Sequence, residues 1–168
     1  MKNRRHSWSV LLMVSLSLAV SGAVLAQEHP MGQNVAEMKL GPVPGLPTCA
    51  TGSVQNGDPM KGSSIIYGKL AAGCTIPWHW HTPNEHLMIV TGTARMDTKD
   101  GKPLTLRAGG FAMLPSHHAH QFACAKGCTI YVYSDAPFDI HYVNAGGNEI
   151  SPDDALKPLK EKAAKPPM

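Results

Sequence analysis

From Ser63 to Asn144 the chain is a succession of short β-rich runs: SSIIYGKLAAG, HLMIVTGTARMD, KPLTLRAG, GFAMLP, AHQFACAKGCTIYVYSD and FDIHYVN. Gly, Pro, Asn and Asp separate them. Many short strands at close, regular spacing predict an all-β sandwich or barrel over 63–150. The segment before it differs. Pro42, Pro44, Pro47 and Pro59 exclude a long helix and a central strand, so 27–62 is expected to be an irregular N-terminal arm wrapping the domain. The end differs again. Ser151-Pro152-Asp153-Asp154 resembles a helix cap. It predicts one or two helical turns in 151–168, with a Lys- and Pro-rich disordered tail after Pro158.

The first residues read as a targeting signal. Lys2, Arg4 and Arg5 precede an apolar run from Val10 to Leu25, and Val24 and Ala26 are the small residues that a signal peptidase needs. Residues 1–26 are therefore expected to be a signal peptide cut after Ala26. The run is shorter than the about 20 apolar residues of a membrane span, so no stable membrane insertion is expected after cleavage. This places the protein in the periplasm or outside the cell. Of 15 basic residues three lie in the leader, so the remainder balances the 12 acidic ones. A neutral mature chain argues against nucleic acid or an anionic membrane surface as a partner.

Four cysteines follow the leader: Cys49, Cys74, Cys124 and Cys128. In an oxidising compartment an even count suggests two disulfides, with three possible connectivities. Cys124 and Cys128 flank AKG, a hairpin-like turn, and can face each other across it. That leaves Cys49 with Cys74. A cysteine-rich metal site is the competing reading, disfavoured where thiols are oxidised.

Seven of the nine histidines fall between positions 79 and 141. His79 and His81 are two apart, so on a strand they share a face. TPN then turns the chain and Glu85 opens the next run, about 5 Å away across an antiparallel pair. Two imidazoles and a carboxylate aimed at one buried spot are costly if unsatisfied. A divalent cation removes that cost: it neutralises the carboxylate and takes imidazole nitrogens as ligands.

The stretch Gly73, CTIPW, His79-Trp80-His81, TPN, Glu85, HLMIVT, Gly92 resembles the first motif of the cupin superfamily at every fixed position. The second motif is matched in part by Gly109, GFAML, Pro115, Ser116, His117, His118, Ala119, His120, QFA, Cys124. His117 stands where the family has a turn glycine, and Cys124 where it has Asn. The resemblance implies a small β-barrel of jelly-roll type (a double-stranded β-helix). It also implies one divalent metal held by His79, His81, Glu85 and His120, and a homodimer. Iron, manganese, zinc, nickel or copper would suit such a set. Glu85 could also act as a base. Members of this kind include oxygenases, lyases, isomerases and proteins that only bind or sense, so the fold does not select the reaction. The expectation is a metal-dependent enzyme acting on a small organic molecule, with a non-catalytic ligand-binding or sensing protein as the alternative.

The remaining candidates have plainer readings. Cys124 is about 13 Å along the strand from His120, too far to share a metal. His118 is expected at the rim, His117 exposed, His86 on the outer face and His141 half-buried. Trp78 and Trp80 alternate with the histidines and should face away from the metal. Phe111, Met113, Phe122 and Tyr133 are candidate pocket walls. No nucleophile elbow or glycine-rich phosphate loop is present.

Overall fold

The computed structural model describes residues 31–99 and 101–164. The expected leader, 1–26, lies outside the described residues, as does the end of the tail. Among the described residues no helix is long and apolar enough to cross a membrane.

Among the described residues, eleven strands and one α-helix follow in chain order: β1 (Gly41–Pro42), β2 (Ala50–Gly57), β3 (Ser64–Leu70), β4 (Cys74–Trp80), β5 (Glu85–Thr98), β6 (Leu104–Arg107), β7 (Phe111–Leu114), β8 (His120–Cys124), β9 (Cys128–Ser134), β10 (His141–Val143), β11 (Glu149–Ile150) and α1 (Pro152–Ala164). Every strand pair is antiparallel. One layer runs β1-β2-β3-β9-β5-β7 and the other runs β6-β5-β8-β4-β10-β11. The 14-residue strand β5 belongs to both. Its first half, Glu85 to Gly92, pairs with β9, and its second half, Arg95 to Thr98, pairs with β8. At the crossing Gly92 has φ +80°, and a Cβ there would lie 2.4 Å from the Gly127 carbonyl oxygen. Only glycine fits a left-handed backbone with so close an approach. The arrangement is an all-β jelly roll.

Period-2 alternation builds the core. Leu87 and Ile89 of β5, Phe122 of β8, and Ile130 and Val132 of β9 are buried between the layers. Burying each such side chain contributes about 1.5–3 kcal/mol. The same parity corrects three pocket-wall expectations. Ala112 and Leu114 are the inward residues of β7, so Phe111 and Met113 point outward and are exposed; Tyr133 does the same beside buried Val132. Phe122 alone of the four faces the interior.

Two further readings are corrected. Within the arm 27–62, Ala50–Gly57 is a strand that pairs along the whole of β3, with one bulge at Gln55. The four prolines all lie outside it, and only the two-residue β1 flanks its other side, so it is close to an edge. The C-terminal segment is helical from Pro152 through Ala164, past Pro158. Ser151 caps it, its Oγ accepting the Asp154 N–H at 3.1 Å. Pro158 removes only one backbone donor. Leu156 is buried in the core and Leu159 packs against it, which holds the helix in place.

Both disulfides are formed, Cys49–Cys74 and Cys124–Cys128. The first ties the arm to β4. The second closes the β8–β9 turn.

Candidate metal centre

A bulge in β4 decides which side chains enter the barrel. Cys74, Ile76 and their partners Cys124, Phe122 pair in regular register, but the next pair is His79 with His120. One extra residue has been inserted on β4, at the point where Pro77 offers no N–H to the ladder. Inward parity therefore passes from Cys74 and Ile76 to His79 and His81. His79, His81, Glu85 and His120 are each no more than 6% exposed.

The four side chains named from sequence meet in space. One nitrogen from each of His79, His81 and His120 lies within 4.8 Å of the others, an arrangement that could hold one metal ion. Glu85 Oε2 lies 3.3 Å from His120 Nε2 and 3.6 Å from His81 Nε2. The other ring nitrogens set the tautomers. His79 Nδ1 donates to the Pro77 carbonyl at 2.6 Å, His120 Nδ1 to the His118 carbonyl at 3.0 Å, and His81 Nδ1 to the Asp139 carbonyl. A carbonyl only accepts, so each Nδ1 carries a proton and each ring turns its Nε2 inward.

Lone pairs and a carboxylate then confront one another. His81 Nε2 and Glu85 Oε2 are buried without a hydrogen-bond partner. Burial pushes His79 well below its ordinary value and lowers His81 as well, favouring the neutral rings. Burial pushes Glu85 up, while His81, His120 and His79, to the extent that they carry an extra proton, pull the carboxyl down to about 2. Neutral nitrogen donors around an ionised carboxylate fit a divalent transition metal, and a cation satisfies the orphaned atoms.

The surrounding shell holds these rings still. Phe138 stacks on His81 with centroids 4.3 Å apart. The His117 N–H donates to the His81 carbonyl at 2.8 Å. Tyr142, opposite His79 in the β10–β4 register, is buried beside its ring. Sequence reasoning missed the orienting carbonyls. Those of Pro77 and His118 each lie two residues before their histidine, a local signal. That of Asp139 lies 58 residues from His81 and has none.

The other candidates sit elsewhere. His118 is half-buried and contributes only its carbonyl. His117, in the glycine position of the second motif, adopts φ +60°. It is exposed and stacks on Trp80. His86 lies on the outer face near Tyr133 and Phe111. His141 is half-buried on the outer side of β10, against Trp80. Cys124 is bonded to Cys128.

The cupin family, described as "Cupin domain", matches residues 67–134. Those residues form a cupin domain. Solved structures resemble it in fold at low identity. The polyketide cyclase RemF from Streptomyces resistomycificus has a TM-score of 0.63 at 15% identity, over 78% of this chain and 94% of that one. An RmlC-like cupin from Ralstonia eutropha gives 0.59 at 17%, over 83% and 93%. Another from Shewanella frigidimarina gives 0.54 at 16%, over 67% and 95%. No curated protein matches the chain. A partly open cavity of about 420 Å³ is lined by His79, His81, Glu85 and His120 together with arm residues such as Val43 and Leu46.

Proposed function

We propose that the protein is an exported cupin, periplasmic or secreted, that holds one divalent transition metal through His79, His81, Glu85 and His120. We further propose that it is a metal-dependent enzyme acting on a small organic molecule, by an oxygenase-like or a lyase- or isomerase-like reaction. One observation carries this reading: three buried imidazole nitrogens converge with the Glu85 carboxylate, and His81 Nε2 and Glu85 Oε2 are left without a hydrogen-bond partner. The metal, when bound, supplies Lewis acidity and, if redox-active, access to oxygen chemistry.

The chain's own residues do the rest. Three carbonyl-anchored imidazoles fix the donor directions. Glu85 balances charge; a carboxyl held at about 2 is a weak base, so its ligand role is the better supported one. The cavity seats a ligand beside the four side chains. A cyclase among the structural neighbours supports the enzyme reading. The binding alternative is favoured by the cavity lining, where the only other carboxylate, Asp139, is engaged by Thr82 and His141. Two disulfides support export. Exposed Met88, Val90, Phe111 and Met113 on the outer sheet face support a homodimer. Elemental analysis of protein purified from the periplasm, then oxygen uptake and substrate screening with that metal restored, tests the proposal. Protein without stoichiometric metal would overturn it.

A further inference from the structure

The cavity wall has a chemistry of its own. Among the described residues, no Lys or Arg lines it. Leu87, Phe122 and Val132 form its inner wall, and the arm adds Val43 and Leu46. Beyond the four-residue site its polar side chains are Thr51, Ser53 and Asp139. Thr51 Oγ1 donates to the Lys69 carbonyl at 3.4 Å. The Asp139 carboxylate accepts the Thr82 N–H at 2.7 Å and faces His141 Nε2 at 3.2 Å. Among the described residues the formal charges on the wall are thus negative, and none of these side chains can compensate an anion away from the metal.

The arm wall is also preformed. The Tyr142 hydroxyl donates to the Gly45 carbonyl at 2.8 Å, the Phe138 N–H donates to the Pro59 carbonyl at 2.7 Å, and Cys49 is bonded to Cys74. Gly52 leaves room for the contact: a Cβ there would lie 2.8 Å from Val43 Cγ2.

We infer that the cavity takes a neutral, largely apolar organic molecule whose oxygen or nitrogen donors are confined to the end that reaches His79, His81, Glu85 and His120. Away from that end, carboxylates, sulfonates and phosphates are turned away, because a buried charge without a partner is expensive. The orientation of the ligand rests on the metal reading above; the preference for a neutral apolar body does not.

Two fluorescent probes that differ by one charge test it: N-phenyl-1-naphthylamine and 1-anilinonaphthalene-8-sulfonate. The mature protein should bind the neutral probe tighter by about tenfold or more. Val43→Trp, which fills the arm side of the cavity, should remove that binding. Val54→Lys, at an exposed position on the rim, should narrow the difference between the probes. Equal or tighter binding of the sulfonate overturns the inference, as does neutral-probe binding that Val43→Trp leaves unchanged. The same titrations on chelator-treated protein and on His79→Ala should keep the neutral preference. A failed metal reading shows in elemental analysis, whereas a failed cavity reading shows in the probe ratio.

Discussion

Two histidine clusters lie on opposite faces of the same strand end and behave in opposite ways. Inside, His79, His81 and His120 are buried, each donating Nδ1–H to a backbone carbonyl. Outside, Trp80 is sandwiched between His117 and His141, with centroids at 4.4 and 3.9 Å. His141 faces carboxylates through both nitrogens, Glu149 at 2.8 Å and Asp139 at 3.2 Å. Burial lowers His79 and His81. Partial burial pulls His141 down too, but Glu149 and Asp139 outweigh it and raise it. One residue along β4 separates a ring poised to give a lone pair from a platform beneath a ring poised to hold a proton. The partner, carbonyl or carboxylate, makes the difference.

The largest effect should come from breaking the inner cluster. His79→Ala with His120→Ala should lower metal affinity by about a hundredfold or more, since losses at supporting groups alone reach that range. His117→Ala and His141→Ala should leave metal content unchanged. Mass spectrometry of the metal content of all three proteins checks this, and equal metal in each would erase the distinction between the clusters.

Acid should separate the clusters next. The folded-state pKa values of His79 and His81 are depressed, so below about pH 6.5 the unfolded chain takes up protons first. Chelator-treated protein should lose stability as pH falls below that point, by up to about 1.4 kcal/mol per pH unit for each histidine. Glu85 adds a second loss as pH falls through the carboxylate range toward 2. Denaturant unfolding between pH 7.5 and 5 measures the first effect; a flat profile contradicts buried neutral rings.

The outer cluster should show the smallest effect, with the reverse sign. The His141 pKa is raised on folding, so its contribution is complete below about pH 6.5 and fades as pH rises through the raised value. Exposure keeps it to about 0.5 kcal/mol or less. An NMR titration should place His141 above the ordinary histidine value, and Glu149→Gln should bring it down. An unchanged midpoint would show that the carboxylate is not the cause.

Much of this was legible beforehand. The β-rich runs, the His79-Trp80-His81 alternation and the spacing to Glu85 and Gly92 are local, and period-2 geometry turns them directly into faces. Ala50–Gly57 departs from the irregular arm expected because the prolines flank the strand without entering it. The helix ran past Pro158 because Leu156 and Leu159 found the core, which no local propensity reports. The outward turn of Phe111, Met113 and Tyr133 was missed because strand register, set across β5, decides parity.

By itself the sequence determined the β architecture, the two inward histidines with their nearby carboxylate, and a turn that lets Cys124 meet Cys128. Those follow from spacing along one or two strands. Tertiary structure alone decided that His81 rests on Asp139 and Phe138, that the arm walls a largely apolar cavity, and that Trp80 sits between two outer histidines. Each joins residues far apart in the chain, and such meetings depend on how the layers pack.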